Sequence, residues 1–258
     1  MKKLFTNKIF LTSLGILLFV AFWYVIYFIS SADSTIFPSP HETIVEAIKY
    51  LGDPYTYKCI WGSFQRMLVG FGVASILGIM LGVIVGNYTS LKYVFNPTMI
   101  ALKAVPTAAL VFLFLMLAGL KNAPVYVVGI IVFPMVYEAT VSGYRHIDED
   151  ILMALKVESR SNFYSNIKVK FPLSFPYISL GLVSSFALSF KIEIMAEVIS
   201  GSSSYGIGRA IAVSYTTSMT GLTPTFAYSL IAIIVMLLVS LAIALIKHYF
   251  KLKDLTLD

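Results

Sequence analysis

Residues 226–246 contain no charged side chain, and neither do residues 9–31. An apolar run of about 20 residues, wound as a helix, is as long as the hydrocarbon core of a bilayer is thick. In water such a run would have to be covered on every side by other protein. In lipid it need only close its own backbone hydrogen bonds, which a helix does by itself. Further apolar stretches occupy residues 67–85, 104–120, 124–143 and 177–199. The expected fold is therefore an all-α integral membrane protein with six transmembrane helices. Composition excludes the soluble alternative: only 12% of the 258 residues are charged and 58% are hydrophobic, with a mean hydropathy of +0.85. Soluble domains carry about 25% charged residues.

The first run needs separating from a cleavable leader. Lys2, Lys3 and Lys8 precede it, as they would in a signal peptide. A signal peptide, however, has a shorter apolar region and ends in small residues at a cleavage site. This run ends in bulky aromatics between Phe22 and Phe28, so residues 1–31 read as a tail and a retained first span.

Basic residues set the orientation. With the amino terminus inside, 13 of the 19 Lys and Arg residues fall on the cytoplasmic side. Five fall outside (Lys49, Lys58, Arg66, Lys121 and Arg209), and Lys191 falls within a span. That bias follows the positive-inside rule and predicts two cytoplasmic termini, which accounts for the net charge of +6 without invoking nucleic acid. The location expected is the cell (inner) membrane.

Two connections have content of their own. In the external segment 32–60, Ser39 is placed to cap a helix with Pro40 at its first position and Glu42 at its third. Ile44, Ala47, Ile48 and Leu51 then recur at helical spacing, predicting a short amphipathic helix on the outer surface. The cytoplasmic segment 145–175 is mixed in charge and long for a compact membrane protein, a sign of function. The remaining core is expected over 61–250, with a tail at 251–258. In the second span, Gly78, Gly82 and Gly86 make two overlapping small-xxx-small steps that let helices approach closely.

Several motifs in this order resemble a known family. Residues 63–86 contain Ser63-x-x-Arg66-x-x-x-Gly70-Phe71, then Gly78 and Gly82. Phe37-Pro38-Ser39-Pro40 precedes them, and Asn96-Pro97 with Lys103-Ala104-Val105-Pro106 follows. Late in the chain come Met195-Ala196-Glu197-Val198 and Tyr205-Gly206-Ile207-Gly208. Together these resemble permeases of binding-protein-dependent ABC importers, in the nitrate, sulfonate and taurine subgroup. The resemblance runs from about residue 37 to the carboxyl end and implies the type I ABC importer permease fold.

The same resemblance implies partners. Such permeases carry a cytoplasmic helix-turn-helix that docks into a cleft on a separate ATPase. Its register falls here on Met153, Ala154, Leu155 and Ser159, then on Val169, Phe171 and Pro172. Only Ala154 and Pro172 are identical to the family pattern. Ser159 replaces the glycine of the turn, a residue that tolerates positive φ, and the family's glutamate is missing. The implied assembly contains two ATPase subunits, a second permease copy forming a homodimer, and an extracytoplasmic solute-binding protein. ATP would bind the partner, so no cofactor is expected on this chain. The implied cargo is a small anion or other small solute of the nitrate, sulfonate or taurine type, with bicarbonate and thiamine-precursor pyrimidines also compatible.

Ionisable residues within spans mark functional candidates by default. Glu138 lies in the fourth expected span, and Lys191, Glu193 and Glu197 in the fifth. At about 100° per residue Glu193 and Glu197 share a face while Lys191 lies nearly opposite Glu193. These four are candidates for a solute path, with Lys191 meeting an anion; the alternative is structural pairing with neighbouring helices. No phosphate-binding Gly-rich loop ending in Lys-Ser/Thr is present, which excludes the ATPase role. No catalytic site is expected, and none for metal: His41, His146 and His248 are scattered, and Cys59 is the sole cysteine. An ion-coupled secondary transporter and a non-transporting scaffold remain as rival readings.

Overall fold

The structure is a computed structural model that describes residues 8–30, 36–157, 162–201, 205–217 and 221–249. Those residues fold almost wholly as helix: α1 (Lys8–Ile29), α2 (Pro40–Leu51), α3 (Pro54–Asn87), α4 (Thr89–Ala104), α5 (Thr107–Arg145), α6 (Glu149–Val157), α7 (Asn162–Ser165), α8 (Phe171–Ser200), α9 (Ile207–Thr217) and α10 (Thr223–Tyr249). A π-helical stretch, Asn166–Lys170, joins α7 to α8. Among the described residues five helices are long and apolar enough to cross a membrane: α1, α3, α5, α8 with its π-helical lead-in, and α10.

Helix α5 covers what the apolar runs suggested were two spans, and it is not one straight rod. Gly119 has φ 75° and ψ 170°, a conformation that a side chain all but forbids. The rings of Phe114 and Tyr126 stack with centroids 5.5 Å apart. In a continuous helix twelve residues would separate them by about 18 Å. The chain therefore doubles back at Gly119. A short arm, 107–118, lies against a long arm, 120–145, and Lys103 reaches Glu138 across 35 residues of sequence. The short arm is only about 18 Å long, less than the hydrocarbon thickness of about 30 Å. The expected third span thus appears as half a hairpin that starts at Thr107, because Ala104 belongs to α4.

A three-helix sandwich forms one part of the core, beside an apolar cluster shared by α2, α3, α8, α9 and α10. The long arm of α5 lies between α3, which runs parallel to it, and α8, which runs antiparallel. Glycines set both distances. A Cβ on Gly70 would fall 2.6 Å from the Val125 carbonyl oxygen, on Gly82 2.5 Å from Thr140 Cβ, and on Gly86 2.6 Å from Tyr144 Cβ; one on Gly78 would lie 3.0 Å from the Phe133 carbonyl. The small-xxx-small stripe is thus a seam along α5. On the other side Gly143 meets Ser174 of α8. Replacing Gly82 with leucine should destabilise the subunit by about 1–3 kcal/mol, as overpacking of tight interiors does. Thermal unfolding in detergent checks this against Gly72→Leu, where a Cβ meets nothing within 4 Å. Equal midpoints for the two variants would remove the seam's energetic role.

Helices also extend beyond the apolar runs. α3 starts at Pro54 rather than near residue 67, because Asp53 caps it by accepting from the Tyr55 amide at 2.9 Å, with Pro54 in the first turn. Lys58 and Arg66, counted above as external loop charges, therefore lie inside α3. The cap expected for α2 forms in full: Ser39 accepts from the Glu42 amide and Glu42 accepts from the Ser39 amide. Its faces are divided differently from the expectation. Thr43 and Ala47 are buried toward α10, with Tyr50 stacked on Tyr228 at 4.5 Å, while Ile44 and Ile48 point away from the protein. Burial, with the Glu46 carboxylate beside it, pushes the Tyr50 phenol up to about 12. α1 meets the rest at Trp23, whose indole donates to the Pro38 carbonyl at 3.1 Å and whose ring lies against Phe226 of α10. The end of α1 and the start of α10 thus meet at the α2 end of the bundle.

Candidate functional site

The charges expected in the fifth span find their partner in α3. Arg66 and Ser63 are one turn apart on one face of α3, and Glu193 and Glu197 are one turn apart on one face of α8. Where the two helices cross, Arg66 Nε donates to Glu193 Oε1 at 3.1 Å and Arg66 Nη2 donates to Glu197 Oε1. Both carboxylates are fully buried and the guanidinium is 13% exposed. Ser63 Oγ donates to Glu197 Oε2 at 2.8 Å, and the Gly208 amide donates to the same oxygen at 2.9 Å. Ser63 in turn accepts from the Ile207 amide at 2.9 Å, and Arg66 Nη2 reaches the Tyr205 carbonyl at 2.8 Å. Both oxygens of Glu197 thereby have partners. Glu193 Oε2 has no hydrogen-bond partner among the described residues.

This knot gives a physical reason for three of the motifs read above. The Gly206 and Gly208 backbone must come within contact of the carboxylate. A Cβ on Gly206 would sit 2.6 Å from both Arg66 Nη2 and Glu197 Oε2, and one on Gly208 would sit 2.5 Å from Glu197 Cβ. Gly62 is pressed against the Tyr205 carbonyl in the same way. The knot fastens α3, α8 and the turn into α9 at one point. Arg66, Ser63, Gly206 and Gly208 were visible as motif letters, but nothing local in the sequence says that they meet.

The other candidates separate. Lys191 projects from the exposed side of α8, away from the knot, and pairs with neither Glu193 nor Glu197. Glu138 is bound by Lys103, whose ammonium lies 2.7 and 2.8 Å from its two oxygens, and both side chains are substantially exposed. Gly78, Gly82 and Gly86 are packing positions in the seam.

At the opposite end of the bundle α6 begins after a turn in which Asp148 accepts from the Asp150 amide. Met153 (58% exposed) and Val157 (84% exposed), one turn apart, present an uncovered apolar face. Ala154 is exposed beside them, and Leu155 is half-buried. Ser159, the expected turn residue, lies outside the described residues. Val169 and Phe171 are half-buried and Pro172 is exposed at the start of α8. Asn87, at the end of α3, anchors this segment: its amide donates to Asn166 Oδ1 at 3.0 Å, and Lys170 donates to its oxygen at 2.9 Å. Asn166 and Lys170 both reach that one side chain from the π-helical stretch. π-Helical turns concentrate at functional sites.

Residues 74–253 match the family model described as the binding-protein-dependent transport system inner membrane component. Among curated proteins, the chain is 27% identical over 232 residues to the nitrate import permease protein NrtB of Synechocystis, covering 84% of this chain and 80% of that one. It is 27% identical to the putative aliphatic sulfonates transport permease protein SsuC of Bacillus subtilis (72% and 68% covered). It is 29% identical to the bicarbonate transport system permease protein CmpB of Synechococcus elongatus (72% and 70% covered). Among solved structures it superposes on a chain of an amino acid ABC transporter with a TM-score of 0.65 at 15% identity, covering 80% of this chain and 97% of that one. Against an inward facing MetNI methionine ABC transporter the TM-score is 0.64 at 13% identity, covering 76% and 95%. These two likenesses bear on fold alone.

Proposed function

Because the chain belongs to the family of binding-protein-dependent transport system inner membrane components, and so is an ABC importer permease subunit, we propose that it carries a small oxyanion across the inner membrane as one half of a permease homodimer. ATP is bound and hydrolysed on a separate subunit, and an external binding protein delivers the solute. The observation that carries the coupling half of this reading is α6. It is a short helix standing off the membrane bundle with Met153 and Val157 uncovered, at the register where the family docks its ATPase.

The oxyanion reading draws on the relatives, which are named for nitrate, aliphatic sulfonates and bicarbonate. Lys191 supports it independently. A lysine on a spanning helix is costly where it faces lipid, so the exposed side of α8 is assigned to the solute path between two copies. The termini are cytoplasmic in this reading and the chain crosses six times, α4 and the short arm of α5 together making the third crossing and the long arm of α5 the fourth. The starts of α2 and α10 lie together at the outer end, and the basic residues concentrate at the other. Closure of the ATPase dimer on ATP would draw the two α6 segments together. The bundle would then shift from an inward-open to an outward-open population, driven by nucleotide affinity.

The test is uptake by proteoliposomes holding this chain, its ATPase and its binding protein, with labelled nitrate, taurine and bicarbonate offered in turn. Accumulation that requires both ATP and the binding protein is the expected result. Uptake driven by an ion gradient without the ATPase would favour a secondary transporter, and failure of any ATPase to co-purify in mild detergent would favour a scaffold.

A further inference from the structure

The end of the bundle that carries α6 also holds a polar cavity of about 340 Å³ between α4 and the last turns of α5. Lys92 and Asn96 line it from α4, one helical turn apart, and Ser142, Arg145 and His146 line it from α5. Its acid is Glu138, and that charge is already compensated from the far side, since both carboxylate oxygens rest on Lys103. Neither Lys92 nor Arg145 forms an ion pair among the described residues. The neutral groups also leave donors over. Asn96 takes the Tyr137 hydroxyl on its oxygen, which leaves its amide hydrogens available. The His146 ring is held in place by its Nδ1 on the Ser142 carbonyl at 2.8 Å and by stacking on Tyr177.

Two unpaired cations, an amide and a hydroxyl facing one concavity, with the nearby carboxylate neutralised, make a receptor for negative charge with oxygen acceptors. A cation needed only to set topology has no reason to share a cavity with hydrogen-bond donors. We propose that this cavity binds a small oxyanion, or an oxyanionic headgroup, clamped between Lys92 of α4 and Arg145 of α5. The ligand class rests on the anion-permease reading above. The site stands immediately before α6, so an occupant would tie α4 to the root of the docking helix.

The experiment uses the permease–ATPase complex in nanodiscs of phosphatidylcholine, without ATP, titrated calorimetrically with nitrate and with sulfate. Saturable binding is expected, weakened about tenfold by Lys92→Gln and by Arg145→Gln, in line with the loss of one charge-assisted hydrogen bond. Lys92→Arg should retain it, and Glu138→Gln, which removes the one acid among the described lining residues, should tighten it. In a second arm, nanodiscs containing phosphatidylglycerol are examined by native mass spectrometry. A retained anionic lipid that is lost in both Gln variants assigns the cavity to a headgroup, and free-anion saturation assigns it to soluble oxyanions. No saturable anion and no retained lipid, or binding unchanged in both Gln variants, overturns the proposal. ATP-driven uptake that persists without binding here sinks the cavity and leaves the permease reading standing. A saturable site in a complex that shows no ATP-driven uptake does the reverse.

Discussion

Replacing Arg66 with methionine is expected to destabilise the subunit by about 3–5 kcal/mol, the cost of breaking a buried ion pair from one side. That is a large part of the whole stability of a typical folded domain, so loss of folded protein from the membrane is the outcome to look for. The geometry explains the size. Arg66 is the cation bound to two fully buried carboxylates, and its removal takes away the ion pair that Glu193 makes among the described residues. Glu197 would keep its bonds from Ser63 and Gly208, but hydrogen bonds from neutral donors do not replace a charge in a water-poor interior.

Two companion variants separate this account from a simple packing defect. Glu193→Gln leaves the Arg66–Glu197 pair intact and should fold, because Glu193 contributes only one of its oxygens to the knot. Combining Arg66→Met with Glu193→Gln and Glu197→Gln should recover much of the loss. The triple variant has no uncompensated charge, and a glutamine oxygen can still accept from Ser63 and Gly208. Thermal unfolding by fluorescence-detected size exclusion reads all three. An Arg66→Met protein as stable as the wild type, or a triple variant no better than the single, would show that the knot does not hold the helices as described.

Where the sequence was read correctly, the determining contacts lie within a turn or two. The α2 cap needs only Ser39, Pro40 and Glu42, and the opposite faces of Lys191 and Glu193 follow from two residues' rotation. The glycine stripe was legible as a packing surface because its spacing is local, though its partner in α5 was not. Arg66 shows the limit. It precedes the apolar run, so hydropathy placed it in a loop, yet Asp53-Pro54 was a helix-start signal thirteen residues upstream. Its acid partners lie 127 and 131 residues away, and no periodicity reports a pairing of that range. The hairpin was hidden for a similar reason. Lys121 to Pro124 looked like the break, whereas the reversal turns on Gly119, which sits inside an unbroken apolar stretch. The docking segment was placed by resemblance. Its anchoring through Asn87 joins residues 79 and 83 positions apart, a range that no local pattern reports.

Converting the exposed face of α6 from apolar to acidic, with Met153→Glu and Ala154→Glu together, is expected to lower ATP-driven uptake at least tenfold. In interfaces of this kind a few well-buried apolar anchors carry about 2 kcal/mol or more each, and each 1.4 kcal/mol is a factor of ten in affinity. An unpaired carboxylate carried into the cleft adds a desolvation penalty to the lost contact. The folded subunit should be indifferent to the change, since Met153 is 58% exposed and Ala154 also faces outward. The π-helical stretch that leads into α8 is held to α3 instead, by Asn87 on Asn166 and Lys170. Three measurements on one preparation therefore decide the matter: the thermal midpoint of the permease, the amount of ATPase that co-purifies with it, and uptake per ATP hydrolysed. An unchanged midpoint with uptake lost places the defect at the docked surface. Uptake unchanged beside the wild type would remove α6 from the coupling path.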